Sequence, residues 1–540
     1  MKSRWPWFAA LLLLALGGFA LQLYVTRSGP GIRGDSVRYV MGARNLLAGH
    51  GFSRVSGGGE LFPETGFAPL LSFLLAGFGA LGIDMFAGAR FANALLFAGS
   101  VLLTGALIWA GTRSGPAALL GSALVLTAPN VVEWHALLMS EGLFIFLAML
   151  ALSCLYLHLK TGRTDALLLG ALAAGAAALA RYVGVSLIPV GGLAILLWGP
   201  PSRKERWSRA AAFCSLAILP FALWMIRNQI VGGAGLANRA LRFHALRPEM
   251  LRVFLFQPTT WVIPEALVLH RVLRGGVAFL ILAAGPCLLL YHRLRRPPVS
   301  QDRAMSPLPW ILSILILSYV GVLTFNSLFL DAGTTYDGII RYLTPLFVLL
   351  VILELICYTE LIQRARAAPA VSGIATVAVM VLMVLNAGET WGIARRSTSE
   401  MGFTAIRTEW ADLASSLSAH WPDRPIISDN PELVYFLIDR PAYMIPIKFD
   451  VYQQESRADY AQQIELARDR LEAGAILVVF GEPSAEEAET LDLLAVTALE
   501  THPEAVIYGI GSEAIPAAFQ AVRSHAARWC VGIPGSRTCG

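Results

Sequence analysis

Eleven stretches of this chain are each apolar over close to the length of a membrane crossing, and that decides the solvent in which most of it folds. A helix needs about 20 mainly apolar residues to cross about 30 Å of hydrocarbon at 1.5 Å per residue. The stretches are residues 5–25, 89–111, 116–132, 140–158, 165–181, 183–199, 210–226, 273–291, 308–329, 342–359 and 370–387. A polytopic α-helical membrane protein is therefore expected. The composition agrees, with 15% charged residues and a mean hydropathy of +0.60, against about 25% charged in an average soluble chain. A cytosolic globular enzyme is excluded.

The charges are unevenly placed. Of the 37 acids, 15 precede residue 388 and 22 follow it, while Lys and Arg divide 30 and 12. A basic, apolar part and an acidic, soluble-looking part predict a membrane domain over 1–387 and an aqueous domain over 388–540. The excess of basic residues follows from where they sit around spans and points to no nucleic acid. When the first span runs outward, alternate loops carry Lys2 and Arg4, Arg113, Lys160 and Arg163, Arg203 to Arg209, Arg293 to Arg303, and Arg364 and Arg366. Basic loops belong on the cytoplasmic side. The N-terminus is thus expected inside and the C-terminal domain outside. The first segment reads as a span and not a signal peptide, because it lacks a small-residue cleavage site and ten spans follow.

Cys154, Cys214, Cys287 and Cys357 fall in spans and read as small hydrophobes. Cys530 and Cys539 lie in the external domain, where an oxidising compartment permits a disulfide closing a short loop, or two free thiols. In that domain, strand-like runs at 425–428, 442–445, 475–480 and 505–510 alternate with helical patterns at 404–418, 431–438, 457–472 and 484–498. Such alternation predicts a small α/β layer structure. It holds no Gly-rich phosphate loop, nucleophile elbow or metal-ligand cluster.

Chemistry is expected on the outer face, where the long loops lie. The loop over 26–88 carries Gly34-Asp35-Ser36-Val37-Arg38-Tyr39, an amphipathic stretch through Ala43-Arg44-Asn45-Leu46-Leu47, and a second amphipathic run from Phe67 to Leu81. Helices lying in the interface there would roof a cavity between spans. The other long outer segment is 227–272.

These residues resemble the C-class, multispanning glycosyltransferase superfamily. The matching order is Asp35 with Tyr39, Ala43-Arg44-Asn45-Leu46-Leu47, the run from Pro69, and Ala89-Arg90-Phe91-Ala92-Asn93 opening span two. It continues with Ser140-Glu141, Arg181-Tyr182 and Pro189, Trp224 to Asn228 with Gly232-Gly233, and Arg341-Tyr342 with Pro345. Ile427 to Pro431 resembles the outer domain of some members. The pattern is similar to bacterial relatives of the dolichyl-phosphate-mannose protein mannosyltransferases and of the aminoarabinose lipid A transferase. The resemblance implies a transferase of the bacterial cytoplasmic membrane. It would move a sugar with inversion from a polyprenyl-phosphate donor to a lipid, glycan or protein acceptor at the outer face.

The residue chemistry leads to the same place. Transfer needs a base to take the acceptor proton as the sugar carbon gains positive character. Asp35 is the first candidate, immediately beyond the first span, where the family places its catalytic Asp. It suits an N-cap of the following helix equally. Glu141 is the second, because an acid at the membrane end of a span is costly unless partnered. Family members hold a metal or orient the acceptor with an acid there. Asp35, Glu141 and His135 are thus a candidate oxygen and nitrogen set for Mg²⁺ or Mn²⁺, although the first outer loop lacks the DxD of metal-associated members. The leaving phosphate calls for arginines, and Arg227, Arg341, Arg181 and Arg239 are the candidates, snorkelling to headgroups being the alternative. Tyr39, Tyr182 and Tyr342 line a substrate cavity on this reading, or form an ordinary interfacial belt. The rivals from other classes are a secondary transporter and a receptor or scaffold with an external α/β domain. A transporter expects ionisable groups near the midplane, whereas the acids here cluster at the outer boundary, with Glu354, near the inner end of the tenth span, the exception.

Overall fold

The computed structural model describes residues 5–510 apart from 56–57, 233–242, 244, 246–247, 262, 264–270, 296–305, 331–335, 366–368, 397–409 and 451–454. Arg239, Cys530 and Cys539 therefore lie outside the described residues. The chain divides into two compact units, one of residues 1–52 and 63–405, the other of 53–62 and 406–540.

In the first unit, helices α1 (Trp5–Val25) and α2 (Gly34–Leu47) are followed by α3 (Leu70–Ala80), α4 (Met85–Thr112), α5 (Gly115–Thr127), α6 (Pro129–Ala136), α7 (Ser140–Thr161) and α8 (Thr164–Ala180). A 3₁₀ turn at Tyr182–Ser186 leads into α9 (Leu187–Trp198). Then come α10 (Arg203–Gly232), α11 (Pro248–Thr260), α12 (Arg271–Arg295), α13 (Leu308–Phe329), α14 (Tyr336–Ala365) and α15 (Pro369–Arg396). Every apolar stretch foreseen from sequence coincides with helix. Among the described residues, seven helices are long and apolar enough to cross a membrane, and the bent α5 and α6 pair makes an eighth. The stretches at 165–181, 183–199 and 273–291 fall on shorter apolar helices.

Local chemistry sets the ends. Asp84 caps α4, its Oδ1 accepting from the Phe86 and Ala87 amides at 3.1 and 2.8 Å. The single span expected at 116–132 is broken by 56° at Ala128, because Pro129 pushes the preceding residue out of the helical region. Small residues let α8 lie close to its neighbours: a Cβ on Gly170 would meet Cys154, and one on Gly175 would meet the Ala217 carbonyl at 2.7 Å. Helix α15 runs past residue 387 to Arg396, so the break between units falls after Ala405 and not at the expected 387/388.

The second unit takes its hairpin, β1 (Ser53–Val55) and β2 (Leu61–Pro63), almost wholly from the outer loop assigned by sequence to the membrane domain. Its other elements are α16 (Ala411–Ala419), β3 (Ile426–Ser428), α17 (Pro431–Ile438), β4 (Tyr443–Met444), β5 (Phe449–Asp450), β6 (Glu455–Ser456), α18 (Tyr460–Glu472), β7 (Ile476–Phe480), α19 (Ala485–Leu494), β8 (Thr497–Thr501) and β9 (Ala505–Gly509). The sheet order is β4-β3-β7-β9-β8, parallel through β4, β3 and β7 and antiparallel at β9 and β8. Apolar residues fill both faces, with Ile426, Ile476, Val478 and Ile507 on one and Ile427, Leu477 and Val479 on the other. Strand β8 corrects the sequence reading, which ran a helix to residue 498. The helix stops at Leu494, Ala495 turns left-handed at φ 51°, and Val496 and Thr497 favour a strand. The hairpin packs within this unit, where Gly58 pairs with Tyr443 and Arg54 approaches Glu432 at 4.0 Å.

Candidate functional site

The site begins with a short backbone pairing. Gly31, before α2, pairs with Leu137, before α7, through Gly31 N to Ala136 O at 2.9 Å and Leu138 N to Gly31 O at 2.8 Å. The first turns of α2 and α7 are thereby held in register, and with them Asp35 and Glu141. Asp35 does not cap α2. The N-cap is Arg33, whose amide donates to Ser36 Oγ at 3.0 Å, so the carboxylate of Asp35 is left for another partner.

That partner is Arg341, on the first turns of α14, which donates through Nη1 to Asp35 Oδ2. Arg341 Nε lies 2.8 Å from Glu141 Oε1. Arg181, at the end of α8, donates from Nη1 to the same Glu141 oxygen and to Ser140 Oγ at 3.2 Å. Two carboxylates and two guanidiniums thus form one chain, Asp35 to Arg341 to Glu141 to Arg181. The Glu141 side chain is fully buried, Arg181 7% exposed, Arg341 16% and Asp35 31%. Burying four charges is tolerable only because each faces an opposite one. Burial is deepest at Glu141 and falls away through Arg341 to Asp35, which is the most exposed of the four.

Aromatic residues close around the quartet. The Tyr39 hydroxyl donates to Ser140 Oγ at 3.0 Å, and burial, with the charge of Asp35 adding, pushes that hydroxyl above its ordinary pKa. Tyr342 lies under both guanidiniums, with Arg181 Cζ 4.9 Å and Arg341 Cζ 5.3 Å from its ring centre. Its carbonyl accepts from the Tyr319 hydroxyl at 2.8 Å. Beneath, Tyr319 joins Phe144, Met149, Leu187, Leu315 and Pro345 around a small apolar cavity.

Of the residues singled out by sequence, the structure brings together Asp35, Glu141, Arg181, Arg341, Tyr39 and Tyr342. Arg227, Tyr182 and His135 are outside the quartet. Arg227 gives its donors to carbonyls, Nη1 to Glu64 O at 2.6 Å and Nη2 to Phe52 O at 2.9 Å. Tyr182 donates to Phe67 O at 3.0 Å and accepts from Trp224 Nε1 at 3.1 Å. His135 holds the Val131 carbonyl of its own helix through Nδ1 at 2.8 Å, and its ring packs on Gly142 and Phe97.

Among the described residues no group of three or more His, Cys, Asp or Glu is placed to hold a metal ion. Asp35 and Glu141 face guanidiniums, and His135 spends Nδ1 on the Val131 carbonyl, while its Nε2 and Glu141 Oε2 are buried without a hydrogen-bond partner. Sequence reasoning passed over Tyr319, whose signal was a hydroxyl inside an otherwise apolar span.

A family model described as dolichyl-phosphate-mannose-protein mannosyltransferase matches residues 67–224. The chain is 29% identical over 403 residues to an alpha-(1->3)-arabinofuranosyltransferase of Mycolicibacterium smegmatis, a match covering 68% of this chain and 27% of that one. The chain therefore spans about a quarter of the length of that curated relative. Its fold is similar to ArnT from Cupriavidus metallidurans bound to undecaprenyl phosphate, with a TM-score of 0.56 at 15% identity, covering 95% of this chain and 100% of that one. It is also similar to the arabinofuranosyltransferase AftD from Mycobacteria, with a TM-score of 0.56 at 17% identity, covering 95% and 40%.

Proposed function

We propose that this chain, which has the fold of the multispanning C-class glycosyltransferases, moves a sugar from a polyprenyl-phosphate donor to an acceptor hydroxyl at the outer face of a bacterial cytoplasmic membrane. The observation that carries the reading is the graded quartet: a solvent-reachable carboxylate, Asp35, joined through Arg341 to a buried Glu141 that also holds Arg181.

On this reading the acceptor oxygen attacks the anomeric carbon and its proton passes to Asp35. The bond from that carbon to the phosphate oxygen breaks on the opposite side, inverting the centre. Arg341 and Arg181 receive the negative phosphate, for which a guanidinium fork is suited. Glu141 acts by holding both guanidiniums at one place. Arg341 has two calls on it, Asp35 and the incoming phosphate. When the phosphate takes a guanidinium edge, Arg341 releases Asp35 to face the acceptor hydroxyl. The helical unit would cross the membrane eleven times with its N-terminus in the cytoplasm, as the basic loops imply. The α/β region would then lie outside, contributing acceptor recognition.

The test is protein in lipid nanodiscs given a panel of polyprenyl-phosphate sugars with envelope extracts as acceptors, read by product mass. Donor-dependent product that disappears in a folded Asp35→Asn variant supports the reading. Product that survives the substitution removes Asp35 as base, and a wild type that neither turns over nor binds undecaprenyl phosphate removes the reading itself.

A further inference from the structure

We propose that Arg227 and Asn228, near the C-terminal end of α10, are positioning residues: a clasp that ties Phe52 to Glu64 and Thr65 and, through Phe67, sets the wall of the site at Tyr39. The catalytic part of this proposal rests on the transferase reading; the clasp itself does not.

The chain leaves the first unit after Phe52 and returns at Pro63. The two ends of that excursion meet through the Glu64 amide, which donates to Phe52 O at 3.0 Å. Arg227 spans both ends, Nη1 on Glu64 O and Nη2 on Phe52 O, with Nη1 also on Asn228 Oδ1 at 3.0 Å. A planar fork presents two donors in fixed directions to the two carbonyls, whereas a lysine ammonium gathers its donors at one point on a flexible stem and does not reproduce that geometry. Asn228 is fully buried and donates to Thr65 O at 3.3 Å. The guanidinium rests 4.8 Å from the Trp224 ring, which packs edge-on against Phe52 and Phe73. Gly232, one turn on, leaves no room: a Cβ there would lie 2.6 Å from Thr65 Cγ2.

The clasp connects to the site through the residues it holds. Glu64 Oε1 accepts from the Gly66 and Phe67 amides at 2.6 and 3.2 Å, and Tyr182 donates to Phe67 O. The backbone of Phe67 is thus fixed from both sides. Its ring stands edge-on to Tyr39 at 5.3 Å, and the Tyr39 hydroxyl donates to Ser140 Oγ, which also accepts from Arg181. Arg227 therefore orients the Phe67 ring against Tyr39 beside the quartet, and the donor phosphate falls to the arginines of the quartet.

The experiment compares wild type, Arg227→Gln and Arg227→Lys in nanodiscs by amide hydrogen exchange over residues 52–67 and by binding of undecaprenyl phosphate. Exchange in that segment is expected to rise about tenfold or more in both variants, since opening now breaks fewer tertiary bonds. Affinity for undecaprenyl phosphate should stay within about twofold, because uncharged carbonyls and not phosphate occupy this fork. In turnover, kcat should fall with the donor KM unchanged. Unchanged exchange overturns the clasp whatever the binding shows. Tenfold weaker phosphate binding in Arg227→Gln overturns it whatever the exchange shows, and returns Arg227 to the donor. If wild type binds no undecaprenyl phosphate, the transferase reading fails while the exchange result still decides the clasp. Should Arg227→Gln fail to fold, Arg227→Lys keeps the charge without the bridge and carries the test alone.

Discussion

Arg341 and Arg227 are the same residue in the same kind of place, near one end of a long apolar helix, and the structure uses them for different purposes. Arg341 meets carboxylates from α2 and α7. Arg227 meets carbonyls from a loop. A guanidinium among carboxylates belongs to a charge-balanced group that an incoming anion can rearrange. A guanidinium across carbonyls is a brace whose displacement undoes the backbone. The partner, and not the arginine, decides the role.

The comparison breaks first at Asp35. If the quartet is the reacting group, Asp35→Asn lowers turnover about a thousandfold, in the range expected for a positioned general base. The same variant should bind undecaprenyl phosphate as tightly as wild type or more tightly, because Arg341 loses a competing anion. Weaker binding would mean that Asp35 holds the donor and that the arginine is not shared.

The next effect is on stability. Glu141→Ala leaves two guanidiniums without their shared anion in a buried place, and removing one side of a buried pair costs about 3–5 kcal/mol. Arg227→Gln removes hydrogen bonds to carbonyls that retain neighbouring polar groups, for about 2 kcal/mol at roughly 1 kcal/mol per bond. Thermal unfolding of both variants in the same detergent compares them directly. Equal losses would erase the distinction between balanced charge and brace. Tyr39→Phe, which deletes one hydrogen bond to Ser140, should cost about 1 kcal/mol and reduce kcat a fewfold.

The helices were legible because membrane spans write their length directly into hydropathy, and every foreseen stretch is helical. The break at Ala128 was hidden because Pro129 sits inside a continuous apolar run. The hairpin was hidden for another reason: membership of a unit is a tertiary property, and residues 53–62 are remote in sequence from Tyr443 and Glu432. At the site, Asp35 could be picked out by its place after the first apolar segment, Glu141 as an acid costly at the end of a span unless partnered, and Arg181 and Arg341 as donors suited to a phosphate. Their pairing could not, since Asp35 and Arg341 are 306 positions apart. Arg227 looked the same as Arg341 because sequence shows the donor and hides the acceptor.

The smallest effect concerns a carboxylate with no guanidinium among its hydrogen-bond partners in the described residues. Asp429, at the end of β3, accepts from the Phe480 amide at 3.1 Å and from Ser428 Oγ at 3.2 Å, and burial pushes its carboxyl up to about 6. The ordinary value in an unfolded chain is about 3.9, so between these values the folded state binds a proton that the unfolded state does not. The resulting stability is present below about pH 4 and is lost as pH rises through about 6. Asp429→Asn keeps an acceptor for the Phe480 amide and never ionises. It should match wild type at pH 4 and exceed it at pH 8 by about 1–2 kcal/mol, the two-unit shift being discounted for the solvent that reaches a half-buried group. Hydrogen exchange of the strand amides in β3 and β7 across that range measures the difference. A gap that opens toward low pH instead would mean that ionised Asp429 is stabilised by its amide partner, and that a buried carboxylate in this protein needs no arginine.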